Sequence, residues 1–271
     1  MTDAVFLPFY KLVEQQTGIF LDKSKQYLVE SRLAPIAHAH HCSTVQDFVA
    51  GLLRTPLGAT HTDVFEALTT HETMFFRDRA LFDALAQEIV PTMIAKAEAH
   101  KTLRFCCAAV STGQEAYSLA IVLHECFPAL HHWDVYIQAT DISNAALEKA
   151  RVGVYSSTEV ERGLDPKLIG KYFEKIESQR YQVVPWLRNR INFLQSNLLQ
   201  APPQFPKFDL ILLRNVLIYF LEKTKAEVLG QIKKQLQQPE GLLILGSTES
   251  IVANPGFKRV RHGRICAYGH A

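Results

Sequence analysis

The sequence predicts an α/β protein, in which a small helical domain precedes a parallel β-sheet that carries a small antiparallel β insertion. Three observations lead to this prediction. After about residue 100, strand-length apolar runs alternate with helical patterns, which is typical of a parallel sheet covered on both faces. Before residue 65, the apolar residues recur only at helical spacing. Between residues 153 and 205 the strand–helix alternation stops, which indicates an insertion.

The N-terminal region, residues 1–68, is predicted to be a helical domain. Apolar residues recur at near-helical spacing within residues 6–13, 27–36 and 45–53. Gly18 and the segment "PLGAT" interrupt this pattern and mark turns. Residues 69–271 are predicted to form the larger domain, which contains the sheet.

The strands of the sheet are predicted from apolar runs at residues 103–110, 134–141, 208–215 and 241–247. Helices are predicted to begin near residues 114, 143 and 222. In the interrupted region, "QRYQVVPW" and "NRINFLQ" are predicted to pair as a hairpin within a β subdomain at about residues 170–195. The segment "FKRVRHGRICAYG" predicts a closing antiparallel hairpin that turns at His262 and Gly263.

Composition and charge exclude several classes of protein. The 271 residues carry a net charge of +2, which is too small to indicate a nucleic-acid partner. No apolar run reaches the roughly 18–20 residues of a membrane span, so no membrane insertion is expected. The five cysteines show no CxxC spacing, which indicates reduced thiols in a cytoplasmic protein. The histidine clusters lack Cys or carboxylate ligands at zinc spacing, so no metal site is predicted.

Polar residues end each predicted strand, where open α/β sheets bind ligands. After the first strand, Gly113 is expected to let a ligand approach the backbone closely. Glu115 follows in the first turn of the next helix, where it suits the helix dipole and opposes a phosphate ligand. On position alone, a dipole-stabilising role for Glu115 is as good an explanation as a binding role. No GxGxxG or GK[ST] motif is present, which argues against a dinucleotide or a nucleoside triphosphate.

An acidic residue, Asp141, ends the second predicted strand, the position at which Rossmann-like proteins bind ribose hydroxyls. Its alternative role is the N-cap of the helix "SNAALEKA". A site that is lined by acids and disfavours phosphate suits a nucleoside cofactor with positive charge. S-adenosylmethionine has both a ribose and a positive charge.

The segment "LTTHETMFFRD", residues 68–78, contains a possible capping box. Thr69 and Glu72 have the S/T-x-x-E spacing that starts a helix. Phe75 and Phe76 are expected to be buried as its anchor. Arg77 would then either pair with a carboxylate or point towards substrate.

Four motifs, "LTTHETMFFRD", "AAVSTGQEAYSLAI", "ATDISNAALEKARVGVY" and "FDLILLRNVLIYF", occur in this order along the chain. Together they resemble the CheR-type chemoreceptor glutamate O-methyltransferases over nearly the whole length. The resemblance implies a helical N-terminal domain, a Rossmann-like catalytic domain that binds S-adenosylmethionine, and an inserted antiparallel β subdomain.

The resemblance also implies roles for single residues. The expected cofactor contacts are His71, Thr73, Arg77, Glu115, Asp141, Asn197 and Leu198 and, on the methionine side, Arg214 and Asn215. Among these, Asp141 is expected to hold the ribose, and Asn197 and Leu198 are expected to flank the adenine. Arg77 and Tyr219 are expected to be catalytic, Arg77 by orienting the incoming carboxylate or the methionine end and Tyr219 by lying beside the methyl group. Tyr219 could alternatively be a core aromatic.

This chain departs from the family pattern at three places. His71 stands where the first motif usually has Asn. Val110 and Gln114 stand where the second motif usually has Cys and the first of two Glu residues. The inserted hairpin "KIESQRYQVV" lacks the Gly-rich turn of members that dock on a receptor's C-terminal tether, so a tether-independent enzyme is expected.

The implied reaction transfers a methyl group to the γ-carboxylates of receptor glutamates and yields S-adenosylhomocysteine. The expected partner is the acidic helical bundle of a chemoreceptor cytoplasmic domain, and the enzyme is expected to be a monomer. Basic residues of the helical domain could guide docking, although a solvated helix surface is an equal alternative; they are Lys23, Lys25, Arg32, His38, His40 and His41.

Three other functions stay open from the sequence. They are methylation of another protein, an RNA or a small molecule, non-catalytic binding of S-adenosylmethionine or S-adenosylhomocysteine, and dinucleotide-dependent redox chemistry. The FFR motif and the β insertion disfavour the first of these. The presence of both Arg77 and Tyr219 disfavours the second, and the missing GxGxxG disfavours the third.

Overall fold

A computed structural model describes residues 2–200, 205–252 and 256–271, and the chain in it divides into two units. One unit contains Met1–Thr70 and Ile218–Val228, and the other contains His71–Leu217 and Leu229–Ala271. The second unit contains a mostly parallel sheet, so the predicted α/β class is confirmed.

The first unit is built from α1 (Thr2–Thr17), α2 (Gln26–Ala39), α3 (Val45–Leu52) and α4 (Ala59–Leu68). Its core side chains are fully buried and include Phe9, Val13, Val29, Leu33, Val49 and Val64. The start of α3 is fixed by Thr44, whose Oγ1 accepts a hydrogen bond from the Asp47 amide at 3.1 Å. Helical apolar spacing therefore predicts this unit well, because each helix buries one face against the others.

Arg32 on α2 holds the end of α4 in this unit. Its Nη1 donates to the carbonyl oxygens of Leu68 at 2.8 Å and Thr69 at 2.9 Å. A guanidinium satisfies carbonyls that a helix end leaves without partners. Arg32, one of the basic residues predicted to guide docking, therefore stabilises the end of α4. Lys25 also contributes locally, since its Nζ donates to the Phe20 carbonyl oxygen at 2.8 Å.

The strands, numbered along the chain, are β1 (Thr102–Ala108), β2 (Asp134–Asp141), β3 (Val154–Ser156), β4 (Phe173–Glu177), β5 (Arg180–Val183), β6 (Ile191–Gln195), β7 (Leu210–Leu213), β8 (Leu242–Leu245), β9 (Phe257–His262) and β10 (Ile265–His270). Within the described ranges, the main sheet has the order β6-β2-β1-β7-β8-β10-β9. The strands from β6 to β8 are parallel, and β10 runs antiparallel to both β8 and β9. The predicted closing hairpin is confirmed, with Ile265 paired to His262.

The remaining helices are α5 (Arg79–Ala84), α6 (Val90–Ala97), α7 (Gln114–Cys126), α8 (Asn144–Val152), α9 (Ser157–Glu161), α10 (Pro166–Tyr172), α11 (Pro185–Arg188) and α12 (Glu222–Gln235). A π-helical turn at Leu85–Ile89 joins α5 to α6. Helix α7 buries most of its side chains, because it lies between the sheet and α5 and α11. The helices predicted to begin near residues 114, 143 and 222 are thus present.

The pairing predicted within the insertion is wrong. Strand β6, the "INFLQ" segment, pairs parallel with β2, so that Ile137 lies opposite Ile191. Strand β5 instead joins β3 and β4 in a small antiparallel sheet. The reason is burial: Ile191 and Phe193 alternate with exposed residues and fill the space beside β2, which a two-stranded hairpin would leave uncovered.

Candidate functional site

The carboxyl ends of three parallel strands meet at one edge of the main sheet. Ala108 of β1 lies opposite Thr140 of β2 and opposite Leu213 of β7. Asp141 directly follows Thr140, and Arg214 directly follows Leu213, so both residues lie at this edge. Open α/β sheets bind ligands at such an edge. We call it the strand-end site, and it comprises Ser111, Glu115, Asp141, Arg214 and Asn215.

Left-handed backbone conformations concentrate around this edge. The residues concerned are Phe76 (φ 51°), Asp78 (φ 62°), Ala109 (φ 58°), Ser111 (φ 55°), Gly113 (φ 96°) and Asn215 (φ 58°). A left-handed φ costs a residue with a side chain roughly 1–2 kcal/mol, so it persists only where surrounding contacts fix it. Such conformations are typical of functional sites.

Gly113 is required because Ala150 and Tyr155 pack closely against it. A Cβ at this position would lie 2.8 Å from Ala150 Cβ on α8 and 3.2 Å from the Tyr155 hydroxyl. The same hydroxyl donates to the Thr112 carbonyl oxygen at 2.6 Å. The absence of a side chain at Gly113 therefore lets α8 pack on the β1–α7 turn, which is a different reason from the predicted approach of a ligand.

Asp141 is buried and binds main-chain amides with both carboxylate oxygens. Its Oδ2 accepts from the Ser111 amide at 2.7 Å, and its Oδ1 accepts from the Ser143 amide at 2.9 Å. Burial raises the pKa of Asp141, and these hydrogen bonds together with the charge of His71 offset only part of that rise. The N-cap of α8 is Ser143, whose Oγ accepts from the Ala146 amide at 3.1 Å. The alternative role of Asp141 as a helix cap is therefore wrong.

Arg214 lies between two carboxylates, and its side chain is only 2% exposed. Its Nη1 donates to Glu115 Oε2 at 2.6 Å, and its Nη2 donates to Asp78 Oδ2 and, at 3.1 Å, to the Arg77 carbonyl oxygen. Burial lowers the pKa of Arg214, but the two carboxylates outweigh this effect and raise the pKa overall. The sequence predicts Glu115 and Arg214 as site residues, but it gives no sign of Asp78 as their third partner.

Asn215 follows Arg214 in a left-handed turn that Glu249 holds in place. Glu249 Oε2 accepts from the Asn215 amide at 2.7 Å and from the Gly246 amide at 2.8 Å. The loops after β7 and β8 are thereby joined through one carboxylate oxygen. The sequence indicates Glu249 only as one of the polar residues that follow the fourth predicted strand. Its two hydrogen-bond partners lie 34 and 3 residues away in the sequence.

The segment that leads to Arg77 is not a helix, so the predicted capping box is wrong. Thr69 ends α4 instead, and its Oγ1 donates to the Glu66 carbonyl oxygen at 2.6 Å. Phe75 and Phe76 are buried as predicted, and the Phe76 amide donates to Ser118 Oγ at 2.9 Å. Consecutive side chains of a helix point in different directions, so burial of both aromatic rings disfavours a helix here. The next helix, α5, begins only after Asp78.

The remaining predicted residues of this segment, His71, Thr73 and Arg77, are partly buried. The His71 carbonyl oxygen accepts from Ser111 Oγ at 3.1 Å, which ties the segment to the loop after β1. Arg77 Nη1 donates to the Glu72 carbonyl oxygen at 2.9 Å. This contact keeps the guanidinium of Arg77 on its own segment, while its main-chain oxygen binds Arg214.

Asn197 and Leu198 line a small cavity of about 20 Å³ beside Thr140 and Cys106. Burial, together with the charge of Glu115, raises the pKa of Cys106 to about 12. The thiol that lines the cavity is therefore uncharged at neutral pH. A volume of this size holds about one water molecule. An adenine ring could enter between these side chains only if they move.

Tyr219 belongs to the other unit, where it ends a 3-10 turn, Leu217–Tyr219. Its carbonyl oxygen accepts from the Phe20 amide at 2.8 Å, beside a β-bridge between Ile19 and Phe220. The structure therefore groups Tyr219 with the helical unit, and its predicted role beside the methyl group stays a prediction.

The residues of the strand-end site fit a positively charged nucleoside. The carboxylate of Asp141 ends β2 at the sheet edge, and the Asp78–Arg214–Glu115 cluster joins two negative charges to one positive charge. Among the described residues, no group of His, Cys, Asp and Glu side chains could hold a metal ion. In the same part of the chain, no helix combines the length and the apolar character that crossing a membrane requires.

Comparison with protein families gives two matches that together span most of the chain. The all-alpha domain of the CheR methyltransferases matches residues 5–69, and their SAM-binding domain matches residues 71–266. These two regions meet where α4 ends and the segment of Arg77 begins.

Curated relatives match over similar lengths. The chain is 36% identical over 265 residues to chemotaxis protein methyltransferase 1 of Vibrio cholerae, covering 96% of this chain and 94% of that protein. It is 36% identical over 253 residues to chemotaxis protein methyltransferase 1 of Pseudomonas aeruginosa, covering 92% and 91%. Among solved structures, magnesium protoporphyrin IX methyltransferase from Synechocystis aligns at 15% identity with a TM-score of 0.39, covering 75% of this chain and 87% of that one.

Proposed function

The chain belongs to the CheR methyltransferase family, and we propose that its strand-end site is where S-adenosylmethionine binds. The protein is an S-adenosylmethionine-dependent protein-glutamate O-methyltransferase that acts on chemoreceptors. The observation that carries the site proposal is the burial of Asp141 and of Glu115 with Arg214 at one sheet edge. Both carboxylates are held by protein donors and keep further acceptor oxygens at the edge where open α/β sheets bind ligands, which supports a ligand with hydroxyl donors and positive charge.

In this site, each acidic group has a distinct task. The Asp141 carboxylate keeps acceptor capacity beyond its two amide donors, so it can accept from ribose hydroxyls. Glu115, fixed by Arg214, faces the methionine end with negative charge. Asn197 and Leu198 flank the adenine after they move apart. His71 and Thr73 approach the same ligand from the segment before Phe75.

The residues of the chain position the reactants, and they do not move a proton. When bound, S-adenosylmethionine supplies a methyl group on a positively charged sulfur. The receptor glutamate is already ionised at neutral pH, since the reference pKa of Glu is about 4.3, so no general base is needed. Arg77 orients the incoming carboxylate, and Tyr219 makes a polar contact near the methyl group. Holding the carboxylate oxygen and the methyl carbon roughly 3–3.5 Å apart lowers the barrier, because the two reactants then react within one complex.

We also propose that the receptor's methylated helices approach the exposed basic side chains of the helical unit. Lys23, His38, His40 and His41 are exposed, which suits an acidic helical bundle. The short β4–β5 hairpin, with two residues between Glu177 and Arg180, supports an enzyme that needs no C-terminal receptor tether. A monomeric, cytoplasmic enzyme without a nucleic-acid partner completes the proposal.

Transfer of tritiated methyl groups to purified receptor cytoplasmic domains tests this function. We expect incorporated label that base releases as methanol, because carboxyl methyl esters are base-labile. Receptor fragments with and without their C-terminal tail are expected to be labelled to a similar extent. Label that resists base would contradict glutamate methylation, and strict dependence on the tail would contradict tether independence.

A further inference from the structure

Strand β9 is the last strand of the main sheet within the described ranges, so one of its sides has no neighbouring strand. Its hairpin to β10 turns over two residues after His262, which pairs with Ile265. In such a hairpin the residues that flank the turn form a hydrogen-bonded pair, and hydrogen-bonded pairs alternate along the strand. The main-chain groups of Arg259 and Arg261 therefore point away from β10, to the open side. No loop amide or carbonyl in the described ranges binds these groups.

The side chains that β9 and its turn expose are basic. They are Lys258, Arg259, Arg261 and Arg264, and none of them forms an ion pair with a carboxylate of the described residues. Charged side chains can protect an edge strand against aggregation. However, β6, the strand at the other edge of the same sheet, reads "INFLQ" and carries no charge. Edge protection therefore does not explain why β9 alone is basic.

On one face, β9 borders a cleft of about 450 Å³ that lies between this strand and α6. Val260 and His262 line the cleft together with Met93 of α6. The buried Nε2 atom of His262 has no hydrogen-bond partner among the described residues. Because side chains alternate along a strand, Arg259 and Arg261 lie on the opposite face. The open side of β9 therefore has a basic face and a face that borders a cleft.

The charged side chains that line this cleft balance one another. Glu240 pairs with Lys96 at 3.1 Å, and Asp209 Oδ2 accepts a hydrogen bond from the Arg104 amide at 2.7 Å. Lys258 offsets the charge of Asp209, so the two carboxylates face two ammonium groups. An apolar side chain of a partner therefore suits this face, whereas an acidic side chain suits the face of the two arginines.

We propose that β9 accepts, as an added strand, an extended segment of a partner protein in which acidic and apolar residues alternate. The main-chain groups of Arg259 and Arg261 bind the backbone of the segment, and their guanidinium groups pair with its acidic side chains. Its apolar side chains lie at the cleft beside Val260. A second copy of β9 does not fit, because it brings the two arginines against like charges. This surface shares no residue with the strand-end site, so the inference does not rest on the proposed function.

The test titrates the full chain into a fluorescein-labelled octapeptide in which Glu and Val alternate, and fluorescence anisotropy gives the Kd. When each Glu lies opposite an arginine of β9, the amide of that Glu faces the strand, because opposite residues on the open side form the hydrogen-bonded pairs. N-methylation of every Glu therefore removes these donors and keeps the charge. We expect the N-methylated peptide and a Lys-Val octapeptide to bind at least about tenfold more weakly than the parent peptide.

Arg259→Glu combined with Arg261→Glu is expected to reverse this preference. The Kd of the Glu-Val peptide should rise about tenfold, and the Lys-Val peptide should become the tighter ligand. The control combines Lys167→Glu with Lys175→Glu, which changes the net charge by the same amount at two exposed lysines outside β9. It is expected to leave both Kd values unchanged. Should the double arginine variant unfold, the comparison of the peptides on the wild type decides.

Three outcomes would overturn the proposal. Equal binding of the N-methylated and parent peptides would mean that no strand is added to β9. Displacement of the labelled peptide by oligouridylate or by phosphatidylglycerol vesicles, as effectively as by unlabelled peptide, would identify a surface that attracts any polyanion. The third outcome is a wild type that does not bind the Glu-Val peptide. Methyl transfer is measured separately, so its presence or absence does not affect this test.

Discussion

At the end of β2, the carboxylate of Asp141 is held by two main-chain amides, whereas near the end of β7 the carboxylates of Glu115 and Asp78 are held by one side chain, Arg214. We call these the amide-held corner and the guanidinium-held corner. Both hold acidic groups at the same sheet edge; Asp141 and Glu115 are largely buried there, and the side chain of Asp78 is 35% exposed. In the first, the donors belong to the backbone of adjacent loops. In the second, the guanidinium of Arg214, directly after β7, binds partners that are distant in the sequence.

The difference shows how each corner can fail. Only proline lacks a backbone amide N–H, so any other substitution at Ser111 or Ser143 keeps the donor, and the amide-held corner is then altered through Asp141 or the shape of its loops. The guanidinium-held corner depends on a single side chain, whose removal leaves two carboxylates without a counter-charge. Burial of an uncompensated charge costs more than burial of two unpaired amides. The two corners therefore differ in the size of the expected mutational effect.

Arg214→Ala is expected to have the largest effect on stability. It leaves Glu115 and Asp78 without their cation, so the free energy of unfolding in urea should fall by about 3–5 kcal/mol. Arg104→Ala is the control, because Arg104 forms an ion pair with Asp134 at 3.2 Å on the surface, with side chains 30% and 65% exposed. That variant should lose less than about 1 kcal/mol. Equal losses in the two variants would contradict the guanidinium-held corner as described.

Asp141→Ala is expected to have an intermediate effect on stability. Two buried amides lose their acceptor, which should lower the free energy of unfolding by about 2–3 kcal/mol. The affinity for S-adenosylhomocysteine, measured by calorimetry, should fall as well. Ser143→Ala removes the cap of α8 and should cost about 1 kcal/mol without changing that affinity. Unchanged affinity in a folded Asp141→Ala variant would remove Asp141 from the ribose contact.

Arg77→Ala is expected to leave the guanidinium-held corner intact, because Arg214 binds the carbonyl oxygen of Arg77 and not its side chain. The free energy of unfolding should therefore change by less than about 1 kcal/mol, as for other exposed contacts. Methyl transfer should nevertheless be abolished. Arg162→Ala, which alters a neighbouring surface contact to Glu72, should keep both stability and activity. A folded, fully active Arg77→Ala enzyme would rule out the role assigned to its side chain.

The smallest expected effect comes from lowering the pH. Burial raises the pKa of Asp141, so this carboxylate takes up a proton at a higher pH in the folded protein than in the unfolded chain. Between those two pKa values, protonation favours the folded state and also removes a ribose acceptor. Affinity for S-adenosylhomocysteine should thus fall as the pH falls through the folded pKa, while this group's contribution to stability rises. Calorimetry from neutral pH down to the lowest pH at which the protein stays folded checks this, and an affinity that rises as the pH falls would contradict it.

Much of the fold is predictable from the sequence, because its determinants are local. β7 and β8 are continuous apolar runs, and β1 and β2 are apolar runs interrupted by single polar residues, a pattern typical of a parallel sheet buried on both faces. The partner of β6 was not predictable, since "INFLQ" alternates apolar and polar residues and fits an antiparallel hairpin equally well. Only the distant pairing of Ile137 with Ile191 decides between them.

The site divides in the same way. The position of Asp141 at a strand end is a local signal, and the prediction places it at the sheet edge. The role of Asp78 depends on Arg214, which lies 136 residues later, so no nearby residue indicates it. The spacing of Thr69 and Glu72 wrongly predicts the start of a helix, because such local spacing does not include the burial of Phe75 and Phe76.

The pairing of β1 with β7 has a consequence for the order of folding. Phe105 and Leu210 are neighbours in the sheet but 105 residues apart in the chain, so this contact closes a long loop, whereas the β4–β5 and β9–β10 hairpins close short ones. The hairpins can therefore form early, and β7 joins β1 late. Arg214 directly follows β7, so its carboxylate partners stay without a cation until the sheet closes. The proposed binding of S-adenosylmethionine at this edge is therefore expected to require a completed sheet, which would make it a probe for the last step of refolding.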